Sequence, residues 1–119
     1  MRVVAESPDS PISQRIAEQV ADAMFALSSP SRVQILGCLL EGPRPVGQLV
    51  DALRMEQSAV SHQLRVLRDL TLVRVDRVGR QRVYALYDEH VAALLEAALN
   101  HVERRGQRST APGDLAQSS

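Results

Sequence analysis

A stretch in the middle of the chain carries side chains suited to contacting nucleic-acid bases and phosphates. Its apolar positions, Val60, Leu64 and Leu67, repeat at the spacing of one helix face and predict a helix over residues 55–68. Short hydrogen-bonding groups can reach base edges in a DNA major groove, and arginines can meet phosphate. We therefore predict DNA contact by the polar face, with a solvated face of an ordinary helix as the alternative. That face consists of Gln57, Ser58, Ser61, His62, Arg65 and Arg68.

The elements before this helix complete a helix-turn-helix. Apolar spacing predicts a first helix over residues 12–27, and the Ser29-Pro30 pair is a start signal for a second. Pro45-Val46 opens a third helix, which a short break near Arg54 separates from the polar-faced helix. Two short helices joined by a tight turn, with the polar face on the second, are typical of a DNA-binding helix-turn-helix.

A basic hairpin is predicted directly after this motif. Beyond Leu70 the apolar spacing changes to that of strands, and Val78-Gly79-Arg80 separates two β-prone runs. A basic hairpin in this place is typical of the wing of a winged helix, and a solvated surface hairpin is the alternative. Four arginines lie on it, namely Arg74, Arg77, Arg80 and Arg82. We predict that Arg77, Arg80 and Arg82 contact DNA.

Composition and charge bound the class of protein. The chain has 119 residues and a formal net charge of zero, with one cysteine and three histidines. The positive charge is concentrated, because residues 56–84 hold six arginines against three acidic residues. No nucleophile–base pair, phosphate loop or catalytic triad can be built from these residues, so we predict that the protein is not an enzyme. No apolar run has membrane-spanning length, and we expect a cytoplasmic protein without a membrane partner.

The last predicted helix covers residues 88–105, with Asp88 as its cap. Its broad apolar stripe has nothing after it to pack on, so a second protomer is its natural cover. The predicted fold class is therefore mainly α with a β-hairpin, a dimeric winged helix-turn-helix with four helices, two strands and a final helix. Residues 1–11 are predicted as a flexible arm, 12–105 as one DNA-binding and dimerisation domain, and 106–119 as a disordered tail.

Four segments carry a distinctive combination of residues, namely Leu27-Ser28-Ser29-Pro30-Ser31-Arg32, residues 57–68, Leu72-Val73, and Gly79-Arg80 through Tyr84-Ala85-Leu86. Through these segments the chain resembles, over about residues 14–105, the ArsR/SmtB family of bacterial winged-helix repressors. This resemblance implies a homodimer on double-stranded DNA with an imperfect inverted-repeat operator, and repression that an inducer relieves. Thr71 departs from the family, where glycine is usual; that position often needs a positive φ, which strains threonine.

The resemblance also implies where an inducer metal binds. One family site uses Cys-x-Cys near the third helix, and residues 44–49 contain no cysteine. The other site follows the pattern Asp-x-His, ten residues, then His-x-x-His or Glu on the last helix. Asp88, His90 and His101 match three of these positions, and Arg104 stands at the fourth. Residues 55–68 and the segment around Asp88 also resemble the nickel/cobalt-sensing branch of the family.

The spacing of the two histidines along the helix limits how they can bind one ion. His90 and His101 lie about 16 Å apart along one helix, so one ion cannot touch both in one chain. Two antiparallel last helices across a two-fold axis would bring Asp88 and His90 of one chain to His101 of the other. Carboxylate and imidazole ligands suit Ni, Co or Zn.

Three functions follow from these observations. The first is a homodimeric repressor whose operator affinity is lowered by a divalent transition metal. The second is the same DNA-binding protein with a degenerate metal site, controlled by another ligand or by a partner protein. The third is an interaction or metal-buffering protein that has lost DNA binding.

Overall fold

The computed structural model describes residues 10–109 as two compact units, residues 10–87 and 88–109. Of the predicted arm over 1–11 and the predicted tail over 106–119, residues 1–9 and 110–119 lie outside the described residues. No single helix within 10–109 is long and apolar enough to cross a membrane, although the helices Gln14–Ala26 and Pro30–Leu40, joined at a bend, are so when taken together. The elements are α1 (Gln14–Ala26), α2 (Pro30–Leu40), β1 (Arg44–Pro45), α3 (Val46–Leu53), α4 (Gln57–Asp69), β2 (Val73–Val78), β3 (Gln81–Leu86) and α5 (Glu89–Ser109).

Serine caps set the starts of the first two helices. The Ser13 hydroxyl accepts a hydrogen bond from the Ile16 amide at 3.1 Å, which begins α1 two residues after the predicted start. The Ser29 hydroxyl accepts from the Arg32 amide at 3.4 Å, and Pro30 occupies the first position of α2. The predicted start of α2 is therefore confirmed.

The core of the first unit lies where α2, α3 and α4 pack together and against the sheet. Each helix contributes apolar side chains from one face, as the spacing of these residues predicted. This packing fixes α4 by its apolar side and leaves its polar side outward. The buried helical side chains include Ile35, Leu36, Leu39, Leu49, Val60, Leu64 and Leu67.

The sheet has the order β1-β3-β2, and all its pairs are antiparallel. The predicted hairpin is confirmed: Val78 pairs with Gln81, and Gly79 turns the chain with a φ of +63°. The sheet has one strand more than the predicted hairpin, because the short β1 pairs with β3. This two-residue strand is recognisable only by its pairing with β3, with Arg44 opposite Tyr84. A two-residue segment that contains Pro45 is too short to show the alternating pattern of a strand.

The exit from α4 uses a left-handed residue. Thr71 has a φ of +59°, as expected at the position where the family usually has glycine. Its amide donates to the Arg68 carbonyl at 2.9 Å, and the Leu72 amide donates to the Leu67 carbonyl at 2.9 Å. These two bonds close the end of α4 in the manner of a glycine-type helix terminus.

Replacing Thr71 with glycine should raise the free energy of unfolding by about 0.5–1 kcal/mol, because glycine adopts a positive φ without steric cost. Urea unfolding monitored by circular dichroism measures the change. Asp69→Gly is the matched control, because Asp69 is helical, and there glycine should cost about 1 kcal/mol. A loss of stability in Thr71→Gly would show that the threonine is not strained.

The second unit is the helix α5. The Asp88 Oδ1 atom accepts hydrogen bonds from the amides of His90 at 3.0 Å and Val91 at 3.2 Å, which confirms the predicted cap. The helix continues to Ser109, past the predicted end at residue 105. The predicted single domain over 12–105 stays a prediction.

Candidate nucleic-acid interface and metal site

The six predicted DNA-contacting residues of α4 all lie on its exposed face. Gln57 and Ser58 begin the helix, and the others follow along the side opposite Val60 and Leu64. Within residues 10–109, none of the six side chains makes a hydrogen bond or an ion pair. These side chains are therefore free to bind another molecule. The four that follow Ser58 are Ser61, His62, Arg65 and Arg68.

The turn that leads into α4 leaves the start of that helix open. Arg54 ends α3 with a φ of +55°, and its amide donates to the Val50 carbonyl at 2.8 Å. Glu56 occupies the cap position of α4 without a hydrogen bond from its side chain. The first amides of α4 therefore have no side-chain acceptor, and the positive end of the helix dipole favours an anion such as phosphate.

The wing, formed by β2 and β3, adds exposed cations beside α4. Arg77 and Arg82 pair directly across the two strands, and Arg80 lies in the loop between them. Like charges in opposite positions destabilise a strand pair, so an anion at this place would relieve the repulsion. A groove of about 370 Å³ is lined by Arg68 of α4 together with Arg77 and Arg82 of the wing. The structure thus joins the two predicted DNA-contacting elements in one basic surface.

A second groove connects the wing with the start of α3. Its volume is about 340 Å³, and the wing contributes Arg77, Arg80 and Arg82 to its lining. Val46 and Gly47, at the beginning of α3, line the other side. The basic surface therefore reaches from the end of α4 across the wing to α3.

Arg74 differs from the other arginines of the wing. Its Nη1 atom donates to the backbone carbonyls of Leu86 at 2.8 Å and Tyr87 at 3.2 Å. Its Nε atom donates to the Asp76 carboxylate at 3.3 Å. Arg74 thus binds the end of β3 in its own unit, a role that its place among the basic residues of the hairpin did not indicate.

Arg32 is a second residue whose role the sequence did not indicate. Its side chain is buried, and Nε and Nη2 donate to the carbonyls of Ala26 and Phe25, each at 3.0 Å. Nη1 donates to Oε1 of Gln63 at 3.3 Å, and the guanidinium lies 4.9 Å from the centroid of the Phe25 ring. Arg32 therefore ties the end of α1 to α4. The only sequence signal was its position in the segment that carries the family resemblance.

The predicted metal ligands lie on and before α5. The Asp88 Oδ2 atom is 3.6 Å from His90 Nδ1, and the His90 side chain is 96% exposed. The cap uses the other oxygen of Asp88, so a carboxylate oxygen and an imidazole stand side by side at the start of the helix. His101 and Arg104 are exposed further along α5. Within residues 10–109, no three histidine, cysteine or acidic side chains converge in one chain.

The fit to a metal is therefore partial. Asp88 and His90 supply two donors of the types that divalent transition metals accept. His101 lies about three helical turns away, so one ion cannot reach both His90 and His101 in one chain. Arg104 cannot serve as a ligand, because its guanidinium offers hydrogen-bond donors and no acceptor atom.

Known proteins are similar to this chain in sequence. Residues 29–75 match the model of the family described as bacterial regulatory protein, arsR family. The HTH-type transcriptional regulator NmtR of Mycobacterium tuberculosis is 56% identical over 96 residues, which are 81% of this chain and 80% of that one. The transcriptional repressor SmtB homolog of Synechocystis is 40% identical over 73% of this chain and 66% of its own length.

Two solved structures have the same fold. The solution structure of apo-NmtR superposes with a TM-score of 0.68 at 53% identity, and the match covers 87% of each chain. The homodimeric winged helix-turn-helix DNA-binding domain of Mb0332 from Mycobacterium bovis gives a TM-score of 0.69 at 32% identity, over 84% of this chain and 94% of that domain.

The fold and the exposed basic surface define a winged helix-turn-helix protein that binds DNA. The chain belongs to the arsR family of bacterial regulatory proteins, as the resemblance predicted. It is a transcriptional regulator and not an enzyme.

Proposed function

We propose that this protein is a homodimeric repressor whose affinity for its operator falls when a divalent transition metal binds at α5. The observation that carries the proposal is the exposed pair formed by Asp88 Oδ2 and His90 Nδ1, 3.6 Å apart at the start of that helix. The resemblance of this segment to the nickel/cobalt-sensing branch of the family supports it. As a regulator that works on DNA, the protein acts in the cytoplasm.

The DNA partner is double-stranded, and its operator is an inverted repeat. α4 enters the major groove with its free polar face, and the wing arginines meet the phosphate backbone. A two-fold symmetric dimer presents two copies of α4, which a repeated and inverted half-site matches. Repression follows when the bound dimer occupies the promoter region.

The homodimer is supported by apolar surface on α1 and α5. Ile16, Val20 and Met24 are exposed and repeat every four residues along α1. Leu99 and Val102 are exposed on α5. A second copy of the chain gives such surfaces a cover, and the related Mb0332 domain is homodimeric.

Asp88 and His90 of one protomer and His101 of the partner subunit would hold the metal. Nickel and cobalt suit these ligands best, because a six-coordinate ion accepts water in the place where the family pattern has a fourth protein ligand. Zinc in a tetrahedral site would lack one ligand. When bound, the metal supplies a cross-link between the protomers.

Mixing two variants tests whether the site is shared between protomers. The His90→Ala and His101→Ala homodimers should each bind almost no nickel, because every site lacks one imidazole. Subunit exchange in an equal mixture should restore nickel to about a quarter of the wild-type content, because half of the dimers are mixed and each mixed dimer has one intact site. Metal analysis after gel filtration measures this content.

Differently tagged subunits verify that exchange has taken place. As a control, wild-type protein mixed with tagged wild-type protein should keep the full wild-type nickel content. Nickel that stays absent from the exchanged mixture would contradict a shared site. No nickel, cobalt or zinc binding by wild type would favour the second function, in which another ligand or a partner protein controls the same DNA-binding dimer. Arg104 at the fourth ligand position is the observation that favours this alternative.

A further inference from the structure

Backbone hydrogen bonds connect the recognition helix α4 to the end of β3. The Leu72 amide donates to the Leu67 carbonyl of α4 at 2.9 Å. The Leu72 carbonyl in turn accepts from the Tyr87 amide, also at 2.9 Å. The backbone of Leu72 is therefore bonded to α4 through its amide and to Tyr87, the residue before Asp88, through its carbonyl.

The Arg74 side chain also forms a hydrogen bond with the Tyr87 backbone. Its Nη1 atom bonds the Tyr87 carbonyl at 3.2 Å and the Leu86 carbonyl at 2.8 Å. The Tyr87 amide is thus bonded to Leu72, directly before β2, and the Tyr87 carbonyl is bonded to Arg74 of β2. Because Asp88 follows in the chain, the proposed metal ligands are covalently attached to a segment that is fastened to the DNA-binding elements.

We propose that Arg74 is a positioning residue through which the metal ligands and the DNA-binding surface influence each other. This inference rests on the proposed metal response. A metal that restrains Asp88 and His90 changes the preferred position of residues 86–88. The Arg74 and Leu72 bonds pass that change to the end of α4 and to β2, which also carries Arg77.

Arg74→Met removes the bonds to the two carbonyls and keeps a side chain of similar length. We expect the ratio of operator Kd with nickel to operator Kd without it to fall at least about fivefold, toward a ratio of one. The affinity of the DNA-free protein for nickel should stay within about twofold, because Arg74 is not a ligand. Fluorescence anisotropy with labelled operator and competition with a chromophoric chelator measure the two quantities.

Arg77→Met is the matched control, since Arg77 lies on the same strand and bonds no carbonyl within residues 10–109. It should weaken operator binding in the absence of metal and leave the nickel ratio unchanged. Asp76→Asn removes the ion pair with Arg74 but keeps the carbonyl bonds, and it should also leave the ratio unchanged. Hydrogen exchange of the Tyr87 amide in metal-free protein should accelerate in Arg74→Met and not in Arg77→Met.

Arg74→Leu serves if the methionine variant does not fold, because leucine is apolar and donates no hydrogen bond to either carbonyl. If either folded variant keeps the wild-type ratio of operator Kd with nickel to operator Kd without it, Arg74 does not have this role. The same conclusion follows if the ratio falls only because the variant no longer binds nickel. If wild-type protein itself shows the same operator affinity with and without nickel, the proposed function fails, and the inference about Arg74 fails with it.

Discussion

Replacing Ser61 and Arg65 together with alanine should weaken operator binding by roughly 100-fold, which is the largest effect expected on DNA affinity. The two residues lie one helical turn apart on the exposed face of α4, and neither side chain has another partner within residues 10–109. Ser61 can reach a base edge or a phosphate, and Arg65 can meet phosphate. Anisotropy titrations over a series of salt concentrations separate the two contributions, because only lost phosphate contact reduces the salt dependence.

Arg105→Ala provides the control, because Arg105 is an exposed arginine on α5 and lies outside the proposed DNA-binding surface. It should leave operator affinity within about twofold, since Arg105 is not among the residues proposed to contact DNA. Wild-type affinity in the Ser61 and Arg65 double variant would mean that another element reads the operator. Unaltered unfolding by urea would confirm that the double variant is folded.

Replacing Arg32 with methionine should lower the free energy of unfolding by about 3 kcal/mol, the largest stability loss that we expect. The side chain is only 9% exposed, and it satisfies two carbonyls at the end of α1 and the amide oxygen of Gln63. Methionine fills a similar volume but donates no hydrogen bond, so these acceptors lose their buried partner. Urea unfolding monitored by circular dichroism measures the loss.

Arg15→Met is the matched control, since Arg15 is exposed on α1. A surface change of this kind should alter stability by no more than about 0.5 kcal/mol. If Arg32→Met costs no more than Arg15→Met, the buried hydrogen bonds do not hold α1 to α4. A Gln63→Met variant should show part of the Arg32 effect, because it removes one of the three acceptors.

Features set by neighbouring residues were predictable from the sequence. Ser29 and Pro30 start α2, Asp88 caps α5, and Gly79 turns the hairpin, because each acts on amides or torsion angles within a few residues of itself. The positive φ of Thr71 was also predictable, because the family pattern marks that position with glycine. The two faces of α4 followed from the spacing of its apolar residues.

Features that depend on distant partners were not predictable. β1 exists through the pairing of Arg44 with Tyr84, forty positions later in the chain. Arg32 and Gln63 meet only once α2 and α4 pack, and an arginine in a polar segment reads as a surface residue until that packing is known. Arg74 looked like the other arginines of the hairpin, because the direction of its side chain does not show in the sequence.

The metal site was predictable from the sequence only in part. The pattern of Asp88, His90 and His101 is visible in the sequence, and the proximity of Asp88 to His90 follows from their spacing at a helix start. Whether a second protomer brings its ligands to this pair depends on assembly, which no local pattern encodes. The His90→Ala and His101→Ala mixture tests that assembly directly.

The most direct test of the proposed regulator is the affinity for nickel with and without saturating operator DNA. Linkage requires that DNA weaken metal binding by the same factor by which metal weakens DNA binding. We predict that operator DNA lowers nickel affinity by about tenfold or more, and that the two factors agree. Equal nickel affinity in the free and DNA-bound protein would contradict metal-controlled repression.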